Sequence, residues 1–156
     1  MYDSNGHAKV EQVRLPIQYF MDNFDEIKVN PFRRRICEIF SSDQEQDTMS
    51  FVDFLDMVSG LSPKNPLNTR IIYAFLIFDF DQDGHIGIDD LKNMLDHYTG
   101  KEEEQKLSDE HKEKLIEEVF TELNKSKNSK AGLHLQDFRV AINRSPDFSR
   151  TFSFRI

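Results

Sequence analysis

Tryptophan is absent from the chain, and cysteine occurs once, as Cys37. One cysteine excludes a disulfide scaffold, and its place in an apolar helical pattern predicts a buried thiol in a reducing compartment rather than a nucleophile. No apolar run approaches the length of a membrane span, and no basic-then-apolar leader opens the chain, so the expected address is cytoplasmic. Positive charge is also scarce: 20 Lys and Arg against 28 Asp and Glu leave a net charge of −8, which repels nucleic acid and sets that class of partner aside. The one compact basic cluster, Arg33, Arg34 and Arg35, predicts a solvated helix face, with acidic lipid headgroups or an acidic partner as the alternative. The five histidines are scattered without ligand spacing, and neither a Ser or Cys nucleophile motif nor a phosphate-cradling glycine loop occurs. No enzyme is expected. Against these absences stand 14 phenylalanines in 156 residues, rings that need burial in a core or against a partner.

The strongest positive signal is the stretch 79–90, with Asp79, Asp81 and Asp83 at positions one, three and five, Gly84 at six and Asp90 at twelve. A hard divalent cation needs several oxygens from a short piece of chain, so carboxylates alternate along a turning loop while glycine lets the backbone swing past the ion. This is the pattern of an EF-hand cation loop, with the His85 carbonyl as the expected seventh-position ligand and Ile86 pointing inward. The last ligand is Asp where Glu is usual. Glu reaches the ion with both oxygens, whereas a shorter Asp more naturally supplies one and favours six-fold geometry. One site is therefore expected, holding Mg²⁺ at rest and taking Ca²⁺ moderately tightly.

Apolar spacing sets the surrounding frame. Residues 1–13 are polar and irregular, and disorder is expected there. A helix is predicted over 16–25, a break at Asn30-Pro31, and a second helix carrying Phe32, Ile36, Ile39 and Phe40. Ser50 is the predicted cap of a third helix with Phe51, Phe54, Leu55 and Val58. Between them, 41–53 occupies the place of another cation loop, but it counts one residue too long and lacks glycine at the turn, so a structural, metal-free loop bridged to its partner is predicted. Residues 61–68 read as a linker, with Gly60 ending the helix before it. The next helix, Arg70 to Phe78, is apolar on every side and predicts burial all round. Leu91, Met94, Leu95 and Tyr98 mark the helix after the cation loop, and Gly100 its end. After the charged connector 101–106, Ser108 caps a helix with Leu115, Val119, Phe120 and Leu123 on its apolar side. The loop candidate 124–137 has 14 residues, lysines at 125, 127 and 130, and only Asp137 as a carboxylate, so it is read as metal-free. Leu133 and Leu135 keep the apolar frame of a hand before the exit helix 138–143. The tail 146–156, with Phe148 and Phe152, is expected to dock on this protein or on a partner. The expected architecture is all-α: an EF-hand fold of two lobes, 14–60 and 69–145, whose first hand is incomplete.

Three stretches carry a family resemblance: Asn30-Pro31-Phe32 with Arg35-Ile36; Tyr73-Ala74-Phe75 with Ile77 and Asp79; and Ser145-Pro146-Asp147-Phe148 leading to Thr151-Phe152 and Arg155-Ile156. From about Asn30 to the end the chain resembles the calcium- and integrin-binding family, most closely its second and third vertebrate members. The resemblance implies four hands with the first two metal-free, a third with Asp at its last position and a fourth that normally binds calcium. It also implies non-enzymatic regulation, in which a hydrophobic groove receives an amphipathic helix from the cytoplasmic part of a membrane protein, either an integrin α tail or a transmembrane channel-like protein of mechanotransduction. Two departures stand out: the fourth loop has lost its carboxylates, and Met1-Tyr2 stands where the family often begins with a myristoylated glycine, so the lipid is not expected.

The leading functional expectation is an auxiliary subunit, peripheral at the plasma membrane, that clamps a helix of a membrane protein. With the entering helix of hand one absent, the stretch from Leu15 to Ile27 is expected to lack an internal partner. Tyr73, Ile77, Leu95, Leu115, Val119, Phe120, Ile142, Phe148 and Phe152 are the candidate groove residues, each with core packing as its ordinary alternative. The competing expectation is a soluble calcium sensor acting on kinases or phosphatases.

Overall fold

The computed structural model describes residues 13–99, 107–122 and 132–144. The expectations for the amino-terminal segment, the connector 101–106, Gly100, Leu123, residues 124–131 of the fourth loop and the tail with Phe148 and Phe152 lie outside these residues. Among the described residues the chain is helical apart from one two-stranded sheet.

The chain enters through β1 (Arg14–Pro16), which pairs antiparallel with β2 (Thr48–Ser50), Leu15 opposite Met49. The helix predicted over 16–25 is in fact two short pieces, α1 (Ile17–Asn23) and α2 (Asp25–Lys28), broken where Phe24 turns to extended backbone. The break brings Phe24 against Phe54, 4.4 Å between ring centroids with the planes tilted by 39°, while Phe20 stacks on both. The Asn30-Pro31 break holds as expected. Asn30 Oδ1 accepts the Phe32 amide at 2.8 Å, a local turn that launches α3 (Arg33–Phe40). Ser50 caps α4 (Phe51–Gly60) in a capping box, its side chain accepting from the Asp53 amide while Asp53 accepts from the Ser50 amide.

Gly60 ends α4 for a reason other than a left-handed turn. A Cβ there would stand 2.9 Å from the Tyr73 ring and 3.0 Å from that of Phe40, so the absent side chain lets α5 (Leu67–Phe78) pass close by. Helix α6 (Ile88–Thr99) follows the cation loop, and α7 (Asp109–Glu122) starts behind Ser108, whose hydroxyl accepts the His111 amide. Helix α8 (Leu135–Arg144) packs on α5, and α6 packs on α7. Lys112 fastens that last pair, its ammonium 2.6 Å from Asp96, a bond that raises its pKa.

One core cluster runs from Ile17 to Ile142, and its middle is aromatic: Phe32 meets Phe78, which meets Phe138 edge to face. Two expectations fail here. Ile17, Phe20, Met21 and Ile27 are buried in that core, so the first helical stretch has its internal partner in α3 and β2. Helix α5 is not buried all round, because Ile72 and Leu76 remain 41% and 40% exposed while Ile71, Ala74, Phe75, Ile77 and Phe78 turn inward. Five inward positions suffice to hold the helix, and Ile72 and Leu76 are left on its outer side.

Candidate functional site: a carboxylate loop and two adjoining clefts

Loop 79–90 brings the predicted carboxylates together. Asp79, Asp81 and Asp83 each offer an oxygen within 4.8 Å of the others, with Asp79 buried and the other two facing solvent. At about 5 Å two such charges repel by roughly 1 kcal/mol in bulk water and about 3 kcal/mol near a protein surface. The backbone turns inward to offset that repulsion. Asp79 accepts the amides of Asp83 and Gly84, Asp81 that of Asp83, and Asp83 that of His85 at 2.8 Å. Gly84 holds φ at +83°, the left-handed conformation that the sixth position demands. Asp90 closes the loop by accepting the Phe80 amide with Oδ1 and the Gly87 amide with Oδ2, both at 2.9 Å. Burial raises the pKa of Asp90 above the ordinary carboxylate range; these two amides oppose the rise, and the charges of Asp81 and Asp79 add to it. An all-oxygen, net-negative donor set of this kind fits a hard divalent cation.

The same local device recurs in two other loops. Met49 precedes Asp53 by four residues as Ile86 precedes Asp90 and Leu133 precedes Asp137, and each of these carboxylates accepts the amide three residues before it: Ser50, Gly87 and His134. Matched this way, the second loop is 42–53, twelve residues long, and the expected extra residue disappears. Its sixth position is Asp47, which takes φ +55° in glycine's place. What stands where a cation would stand is Arg14. Its guanidinium donates to Thr48 Oγ1 at 2.9 Å, Ser42 Oγ at 3.0 Å, the Thr48 carbonyl at 3.0 Å and Asp53 Oδ2 at 3.2 Å. A cation from β1 thus pairs with the loop's closing carboxylate. Sequence reading missed Arg14, whose partners lie 28 to 39 positions away.

An EF-hand domain pair family matches residues 68–141. Calcium and integrin-binding family member 2 of Drosophila melanogaster is 40% identical over 149 residues, which cover 96% of this chain and 75% of that protein. Family member 2 of Danio rerio is 41% identical over 144 residues, covering 92% and 73%, and family member 3 of Mus musculus is 36% identical over 145 residues, covering 93% and 86%. The chain belongs to the calcium and integrin-binding family. Its class is that of the calcium-binding EF-hand regulators.

Within this family member, the candidate groove residues divide. Ile77, Phe120 and Ile142 are 0%, 1% and 7% exposed, inside the core cluster, where α8 packs on α5 and α7 on α6. Leu95 and Val119 are partly buried against that cluster, and Leu115 is exposed. Tyr73 does line an opening. It borders a cleft of about 460 Å³ with Ile39, Phe40, Asp56, Gly60 and Leu76. A second cleft of about 390 Å³ shares Ile39 and Leu76 and extends past Arg35 to Asp79, Gln82 and Gly84 of the cation loop. Ile39 and Leu76 therefore sit between α4 and the cation loop.

The basic cluster is a solvated face at Arg33 and Arg34, as expected, and departs from it at Arg35. Arg35 is nearly buried and donates to the carbonyls of Leu76 and Asp79, tying α3 to the end of α5. Arg34 pairs with Glu38 at 2.9 Å and Asp47 at 3.0 Å, and Arg33 donates to the Lys28 carbonyl. Of the three charges only Arg35 is engaged inside the protein, while Arg33 and Arg34 face solvent. Cys37 is fully buried, and burial pushes its thiol up to about 12, as an inert packing residue should be. No helix among the described residues is long and apolar enough to cross a membrane.

Proposed function

We propose that this protein is a non-enzymatic regulatory subunit that clamps an amphipathic helix from the cytoplasmic region of a membrane protein, an integrin α tail or a transmembrane channel-like protein. It would lie at the plasma membrane through that partner. Its two lobes, 14–60 and 69–145, meet across the linker 61–68, and a single cation site uses Asp79, Asp81, Asp83, the His85 carbonyl and Asp90. The observation that carries the reading is the pair of adjoining clefts: Ile39, Phe40, Tyr73 and Leu76 supply their apolar side, facing Asp56, Ser59 and Asn65 in the first, and the second reaches Asp79 and Gly84. A helix seated there would bury the exposed side of α5 and touch the loop whose shape the cation holds. Phe148 and Phe152 of the tail belong to the same proposed contact. Asp90 in place of Glu supports Mg²⁺ as a competitor of Ca²⁺.

The test is binding of synthetic peptides from integrin α and channel-like cytoplasmic segments, measured in Mg²⁺, in Ca²⁺ and in chelator. Retention in Mg²⁺ is expected, with affinity falling about tenfold or more for Ile72→Glu and Leu76→Glu, since a charge cannot be buried unpaired. Both positions are exposed, so helicity by circular dichroism should persist. Unchanged peptide binding by both variants, or no binding in any condition, removes the proposal. Peptide binding only after Ca²⁺ replaces Mg²⁺ would instead favour the sensor.

A further inference from the structure

Ile86 and Leu133 exchange both backbone hydrogen bonds, each at 2.9 Å, across the isolated bridge that joins the cation loop to the following hand. In an antiparallel pair the residues flanking such a bridge face each other directly, without hydrogen bonds between them and with their side chains at closest approach. Those flanking residues are His85 and His134, whose ring centroids lie 4.3 Å apart with planes tilted by 58°. The geometry points to a two-imidazole site for a borderline-soft divalent transition metal, Zn²⁺, Cu²⁺ or Ni²⁺, on the outer face of this bridge, separate from the carboxylate loop.

Three features support it. His85 Nδ1 lies 3.1 Å from the Asp83 carbonyl, an acceptor, so in this orientation the contact favours the Nδ1–H tautomer and leaves the Nε2 lone pair for a metal. Both backbones are held: the His85 amide donates to Asp83, the His134 amide donates to Asp137, and the His134 carbonyl accepts the Phe138 amide that opens α8. His85 is partly exposed and His134 exposed, so the His134 ring can turn about its side-chain bonds until both imidazoles reach one ion, with water completing its shell. Mg²⁺ and Ca²⁺ prefer the oxygen loop, while imidazole suits the transition metals, so the two ions sort by donor type. A metal here would fasten the carboxylate-poor last hand to the third.

The experiment titrates the full chain with Zn²⁺ by calorimetry and with Cu²⁺ by electron paramagnetic resonance, with Mg²⁺ in saturating excess throughout. Wild type should take one equivalent, with nitrogen coupling from two imidazoles. His85→Ala and His134→Ala should each lose one coupled nitrogen and weaken binding more than about tenfold, since losing even an outer partner of a ligand typically costs ten- to a hundredfold. Mg²⁺ binding should be unchanged in His134→Ala, because His134 lies outside the carboxylate loop. His97→Ala and His111→Ala serve as controls and should bind as wild type. Wild-type affinity in both His85→Ala and His134→Ala, or displacement of all Zn²⁺ by excess Mg²⁺, overturns the site.

Discussion

Replacing Arg14 with Ala would empty the position that the guanidinium fills in the second hand. Four hydrogen bonds are lost at once, and Asp53, whose side chain is 9% exposed, is left to its bonds from Ser50 and Ser42. Breaking a fully buried pair costs about 3–5 kcal/mol and an exposed one about 0–1. The Arg14 side chain is 23% exposed, so water can take part of its place, which sets the expected loss at about 2 kcal/mol. For a chain of this length that lowers Tm by about 4–8 °C. Urea and thermal unfolding followed by circular dichroism measure it, in saturating Mg²⁺ and again in chelator. The loss should be equal in both, because Arg14 acts on loop 42–53 and not on 79–90. A double-mutant cycle with Asp53→Asn should return a coupling of about 1 kcal/mol or more. A loss under roughly 0.5 kcal/mol, the usual range of an indifferent surface substitution, would refute the reasoning.

Gly132→Ala should cost about 3 kcal/mol and Gly84→Ala about 1, by urea midpoint, because both take a left-handed φ but only at Gly132 would the new Cβ meet backbone, 2.8 Å from the Ile86 carbonyl oxygen; a reversed ranking would sink the close-approach argument. Burial raises the Asp53 pKa, but hydrogen bonds from Ser50 and Ser42 outweigh it and hold the carboxylate below its ordinary 3.8. Its stabilisation is thus full above about pH 4 and lost as pH falls through the folded value, so Asp53→Asn should flatten the acid side of a Tm–pH curve. Cys37, with its thiol pushed to about 12, should resist a thiol reagent at pH 8 until urea unfolds the chain. Asp90→Glu should raise Ca²⁺ affinity relative to Mg²⁺ on the order of tenfold by calorimetry, since the longer side chain can give both oxygens.

Legibility followed sequence distance. The carboxylates of 79–90, the Ser50 cap with Asp53, the turn at Asn30 and the cap at Ser108 are each built within a dozen residues. Local stereochemistry decides such features, so residue type and spacing suffice to read them. The reading of loop 41–53 went wrong by one residue because Asp47 adopts the conformation assigned in advance to glycine, and only backbone angles reveal that.

Sequence by itself determined the hand-like frame, the one carboxylate loop and the burial of Cys37, because periodicity and short-range donor geometry are properties of neighbouring residues. Tertiary structure decided the rest. It placed Arg14 in the second loop, sent Ile77, Phe120 and Ile142 to the core while leaving Ile72 and Leu76 open, and set His85 against His134. Each of these depends on which distant segment a side chain meets, and a helix that is apolar on all sides says only how much surface needs cover, not which side receives it.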